Sequence, residues 1–184
     1  MKPKLVISYS EIYDQRFQEL KGIKFEKPEK INEYKKKVQE EWSKIERKAF
    51  DSISKVSGLK WREGKINCYI VQKIQPFSNP LTIPIKEDTE TLMEIIIHEL
   101  VHNILIQNWG KVVKKDYSEK YGKISNVTKI HILVDAILKE VLIDIFGEKR
   151  IKKHIKRYDK WPDYKKAWDI VEKEGSKKII KDLI

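Results

Sequence analysis

Two histidines and a glutamate stand inside the apolar run IIIHELVHNIL, residues 95–105. His98, Glu99 and His102 make the pattern H-E-x-x-H. On a helix, residues four apart lie one turn above each other on the same face, so both imidazoles can reach a single metal ion. Glu99, one residue past the first histidine, is angled to touch a water in an open coordination position, where a general base must stand. In a chain of this composition the pattern is expected by chance about 0.01 times. The competing reading is a core cluster satisfied by hydrogen bonds. It is costly, because an unpaired buried carboxylate or imidazole loses several kcal/mol and three neighbours need a whole polar network. A divalent cation removes the difficulty: neutral imidazoles become ligands and the carboxylate gains a positive neighbour.

Catalytic zinc usually takes three protein ligands and keeps a fourth position for water. The extended pattern H-E-x-x-H-x-x-G-x-x-H is not met, since Leu105 and Asn108 stand in its glycine and third-histidine places, which excludes the metzincin subclass. A third ligand must come from elsewhere, and the segment SNVTKIHILVDAILKEVLIDIFG is the source that fits. At 100° per residue its Val127, His131, Val134, Asp135, Leu138, Leu142 and Ile145 share one face, and Glu140 and Asp144 lie opposite. His131 is therefore the expected third ligand and Glu140 a poor one. Asp135, one turn on, is expected to accept a ring N–H from a ligand histidine and fix its tautomer; the alternative is that Asp135 is itself the ligand. Three of the four histidines of the chain fall in this constellation.

These residues need elements to position them. Lys4 to Ser8 read as a short strand, and an apolar stripe at spacings of three and four, from Ile31 through Val38, Trp42, Ala49 and Ile53 to Val56, predicts a long helix ended by Gly58. The stretch LKWREGKINCYIVQ carries a Glu63–Gly64 turn signal between β-rich runs and predicts a hairpin. Pro80 and Pro84 bracket an extended piece, and because proline cannot donate to a ladder this strand is expected at a sheet edge. The H-E-x-x-H helix is predicted over about 89–108 with Asp88 or Thr89 as its cap, buried on every side. The second helix is predicted over 126–146, capped by Ser125 or Asn126 and ended by Gly147. The stretch NWGKVVKKDYSEKYGK, residues 108–123, reads as a polar connection with room for a short turn of helix. From Glu148 onward two or three short amphipathic helices are expected, broken at Trp161–Pro162 and Gly175–Ser176. The expected fold class is α+β: one mainly helical domain over 1–184, with a core of about 65–146, a small twisted antiparallel or mixed sheet, and a basic extension over 148–184.

Composition sets the outer limits. With 184 residues, 36% charged and 40% apolar, the chain can bury a core without staples. One cysteine, Cys68, cannot form an internal disulfide, and the apolar start is too short for a signal peptide or membrane span, so a cytoplasmic location is the expectation. The net charge of +11 points either to a phosphate-bearing partner or to the Lys- and Glu-rich solvated surface associated with proteins working at high temperature.

In its H-E-x-x-H motif and in the order helix, hairpin, edge strand, motif helix, second helix, the chain resembles the zincins, zinc metallopeptidases built around that motif. The resemblance covers roughly residues 65–146, and the short chain is similar to small soluble gluzincin-like domains. Gluzincins carry E-x-x-x-D on the second helix; here His131 to Asp135 keep the spacing with histidine in the glutamate's place. The resemblance implies one zinc per chain held by His98, His102 and His131, with Glu99 as the base of peptide hydrolysis. It also implies that Pro80, Leu81, Thr82, Ile83, Pro84 and Ile85 form a strand that pairs with an extended peptide or protein substrate. Tyr121, His154 and Tyr158 are candidates for steadying the oxyanion, each with a structural or surface role as the competing reading. The alternative function is a nucleic-acid-associated protein with a structural zinc, in which KRIKKHIKRYDKWPDYKK binds phosphate and Trp161 and Tyr164 stack. The plainer reading of that segment turns Ile151, Ile155, Tyr158 and Trp161 inward as a buried stripe. A third reading is a latent enzyme whose C-terminal helices cover the cleft.

Overall fold

A computed structural model describes residues 3–112 and 120–184. Part of the polar connection, residues 113–119, lies outside them. The fold is α+β, mainly helical with one mixed four-stranded sheet. The chain divides into two compact units, Met1–Arg47 with Trp61–Asn103, and Lys48–Lys60 with Ile104–Ile184.

The first unit holds the sheet. Strand β1 (Lys4–Tyr9) leads into helix α1 (Glu11–Leu20) and then α2 (Ile31–Ser57), which continues into the second unit; β2 (Lys65–Val71), β3 (Phe77–Ser78) and β4 (Leu81–Pro84) follow, and then α3 (Thr89–Gln107). The strand order is β1-β2-β4-β3, parallel at β1/β2 and β2/β4 and antiparallel only at β3/β4. Parallel neighbours require a crossover, and α1 with α2 supplies it between β1 and β2. β1 is an edge strand whose outward groups are covered from α2: Leu5 N–H donates to Glu46 Oε1 at 2.9 Å and Gln39 Nε2 donates to the Ile7 carbonyl at 3.3 Å.

Two sequence expectations are corrected here. The 59–72 hairpin is a single strand, β2, and the first residue of its would-be partner is bonded instead to the serines that end α2. Ser57 Oγ accepts the Leu59 N–H at 3.2 Å and Ser54 Oγ donates to the Leu59 carbonyl at 2.6 Å, so both backbone groups of Leu59 are turned to the end of α2. The strand at Leu81–Pro84 is interior, not an edge: it pairs with β2 on one side and with the two-residue β3 on the other. Pro80 precedes it in the turn and Pro84 is its last residue, so neither proline removes a donor from its middle.

Helix α1 had no sequence expectation. Ser10 caps it, and Tyr13 and Phe17 face the sheet, with ring centroids 5.4 Å from Tyr69 and 5.8 Å from Phe77. Its buried Asp14 receives Gln72 N–H at 3.0 Å, Gln72 Nε2 at 3.1 Å and Gln18 Nε2 at 3.2 Å, tying α1 to the end of β2.

The second unit is helical among its described residues. After α4 (Trp109–Val112) come α5 (Asn126–Phe146), α6 (Glu148–Arg157), α7 (Pro162–Glu174) and α8 (Ser176–Leu183), broken where the sequence predicts. α5 packs against α6, α7 and α8, so it is buried beyond the one face expected: Ile132, Ala136, Ile137 and Val141 are fully covered, while Val127 is 41% exposed.

Candidate metal centre

Apolar residues fill both sides of α3. Ile96, Ile97, Leu100, Val101 and Ile104 have no exposed surface, and burial on all sides holds the helix rigid under its polar residues. Asp88 caps its start, accepting the Glu90 N–H at 3.0 Å. Asn108 closes its end, donating from Nδ2 to the carbonyls of Ile104 and Lys60, each at 2.9 Å. The residue in the metzincin third-histidine place thus has a structural occupation.

His98 is buried and His102 half-buried. Their Nε2 atoms stand 3.1 Å apart. Two ligands of a tetrahedral zinc at about 2.0–2.1 Å are separated by about 3.3 Å, so this spacing suits a shared ion. His131 offers a third ring nitrogen, and the three ligand atoms all lie within 4.8 Å of one another. His131 Nδ1 is 2.8 Å from the Val127 carbonyl. A carbonyl only accepts, so Nδ1 carries the proton and Nε2 keeps its lone pair. Burial also holds the His131 imidazole below the ordinary histidine range, favouring the neutral form a ligand needs. The donor set therefore fits a borderline-soft divalent cation such as zinc.

Glu99 is 4% exposed, and burial pushes its carboxyl up to about 8. Its charge acts on the buried Cys68 thiol of β2, which desolvation first and Glu99 second push up. Asp135 is 1% exposed, and neither of its oxygens has a hydrogen-bond partner among the described residues. Burial pushes its carboxyl well up. The proton on His131 Nδ1 is held by the Val127 carbonyl and not by Asp135.

Of the residues expected on a substrate strand, Leu81, Thr82, Ile83 and Pro84 are buried, Ile85 is half-buried and Pro80 is exposed. Asn103, next to His102, donates to the Ser78 carbonyl at 3.3 Å, linking the motif helix to β3. Glu140 accepts a hydrogen bond from Ser176 Oγ at the start of α8. Among the oxyanion candidates, Tyr121 donates to Glu174 at 3.1 Å, His154 is buried with its Nδ1 3.3 Å from an Arg157 nitrogen, and Tyr158 stacks on Tyr164.

Sequence reasoning missed what backs His131. The Tyr164 ring lies 4.3 Å from the His131 ring, centroid to centroid. It is brought there by its neighbour Asp163, whose Oδ1 accepts from Ser125 Oγ at 2.5 Å and from Thr128 Oγ1 at 3.0 Å. The available signal was a capping Ser125 and Thr128 with an acid at the Pro162 helix start, which becomes informative only once α7 is known to return to α5. No family model, curated protein or solved structure matches the chain.

Proposed function

We propose that the chain is a zinc-dependent metallopeptidase holding one zinc through His98, His102 and His131. The observation that carries this reading is the convergence of three ring nitrogens within 4.8 Å, with Glu99 next in sequence to one of them. Bound zinc supplies an acidified water and polarises the scissile carbonyl. Glu99 would be the base that accepts the proton of the attacking water and the acid that passes it to the leaving amine. The surrounding apolar side chains of α3 exclude competing water and strengthen electrostatics at the reacting centre. His131 is kept in its ligating tautomer by Val127 and in its orientation by Tyr164. Asp135, one turn on from His131 and buried with no hydrogen-bond partner among the described residues, would be the carboxylate that steadies the positive charge of the loaded site.

The test is Glu99→Gln, an isosteric change that removes the base. Zinc content should equal that of the parent, and hydrolysis of a mixed peptide substrate should fall by at least about 100-fold. Peptide hydrolysis at the parental rate by the variant would remove Glu99 from its role.

A further inference from the structure

The basic C-terminal segment of the second unit has a surface that the metal chemistry does not use. Residues 148–166 contain nine Lys and Arg against three Asp and Glu, more than half of the net +11 of the chain in about a tenth of its length. α6 turns Ile151 and His154 inward, and its Lys149, Lys153 and Lys156, at helical spacings of four and three, are all exposed, as is Lys152. The plainer reading of the segment buries Trp161 as the end of an apolar stripe. Instead Trp161 is 40% exposed, with the Lys160 ammonium 4.4 Å from its ring centroid. It stands in a row of rings, 5.7 Å from Tyr158 and 6.3 Å from Tyr164.

We propose that the surface formed by α6 and the start of α7 binds single-stranded nucleic acid, its lysines taking phosphates and Trp161 stacking on a base. The chemistry that fits a lysine row beside an accessible indole is a polyanion that also carries flat apolar faces. Each lysine that neutralises a phosphate releases condensed counterions, which gives sequence-independent affinity. Every base has a π-face, so one exposed ring adds affinity without requiring a sequence. A bilayer would need a continuous apolar helix face, and that face of α6 is turned into the protein. This reading is independent of the metal site.

The experiment is fluorescence anisotropy of the full-length chain with a labelled oligothymidine of about 12 nucleotides, over a salt series. The expected result is binding at low salt that weakens steeply as salt rises. Trp161→Ala should weaken it about tenfold at fixed salt, and Trp161→Phe should restore most of the loss. Replacing Lys152, Lys153 and Lys156 with Gln should flatten the salt dependence. Because these side chains are exposed, thermal melts should coincide with the parent. Three results overturn the proposal: no binding of the oligonucleotide at low salt, tighter binding to the matching duplex, or an unchanged affinity on Trp161→Ala. Equal binding to polyphosphate, or to vesicles of anionic lipid, would likewise reassign the surface to anions in general.

Discussion

The Nδ1–H of His131 points at the carbonyl of Val127, one helical turn earlier, at 2.8 Å. That bond closes within α5 itself, so the tautomer that leaves Nε2 its lone pair is set by the helix alone. On the proposed zinc reading, preorganisation of this kind would lower the cost of loading a metal, since neither the tautomer nor the ring would have to be selected from alternatives.

Zinc content follows directly. Metal analysis of purified protein should give one zinc per chain, and His98→Ala, His102→Ala and His131→Ala should each weaken affinity by at least about 100-fold. Full affinity in His131→Ala together with its loss in Asp135→Ala would transfer the third ligand to Asp135. Chelation of the parent should lower its Tm, because a ligand bound only by the folded state stabilises that state.

Asp135→Leu should move two measurements in opposite directions. Without metal, it replaces a buried carboxylate lacking a hydrogen-bond partner, and stability should rise by about 1–3 kcal/mol in chemical denaturation. Zinc affinity should fall by about 10–100-fold, as when a carboxylate supporting the ligands is lost. A loss of stability in the metal-free protein would show that the carboxylate is satisfied in a way its surroundings do not indicate.

Asp14→Ala should cost about 2–4 kcal/mol in urea unfolding. The substitution leaves the half-buried Gln72 N–H without its acceptor and takes one of two acceptors from each of the Gln18 and Gln72 amides, which keep the Gln72 and Glu26 carbonyls, and it weakens the tie between α1 and the end of β2. Asp14→Asn should recover part of the loss, since its amide oxygen can still accept. Wild-type stability in Asp14→Ala would mean that α1 is held by its aromatic face alone.

His154 makes stability depend on pH. Burial first, and the Arg150 charge second, push its imidazole down to about 3. The unfolded chain titrates near 6.5, so between those values the unfolded state binds the extra proton and stability rises with pH. Acidification below about 6.5 should therefore lower Tm progressively. His154→Gln should flatten this slope; an identical slope in the variant would assign it to other groups.

Much of the helical framework was legible because its signals are local. Helix α3 announces itself by an apolar run too long for a strand behind a capping Asp88, and helix α5 by its apolar pattern, a capping Ser125 and a terminal Gly147, whose φ of 85° suits a residue without a side chain. The three motif residues and His131 follow from helical geometry alone. The sheet was less legible: strand content could be seen, but pairing depends on partners far away in sequence. The hairpin reading failed at Leu59, whose backbone groups are bonded to two serine hydroxyls identifiable only in three dimensions. α1 escaped notice because Asp14 and Gln18 are polar letters, and only Gln72, 58 residues further on, makes their burial affordable. The wheel drawn for α5 likewise assumed one covered face, whereas α6, α7 and α8 cover others.

The link from Ser125 and Thr128 to Asp163 changes where a minimal fragment could end. A chain cut at Gly147 would retain all three histidines and the glutamate, and by motif it would look complete. It would lack the acid that bridges the cap of α5, the ring laid on His131, and the three helices that pack on α5. The part of the molecule with the least distinctive sequence is thus the part that fixes the aim of a histidine on α5.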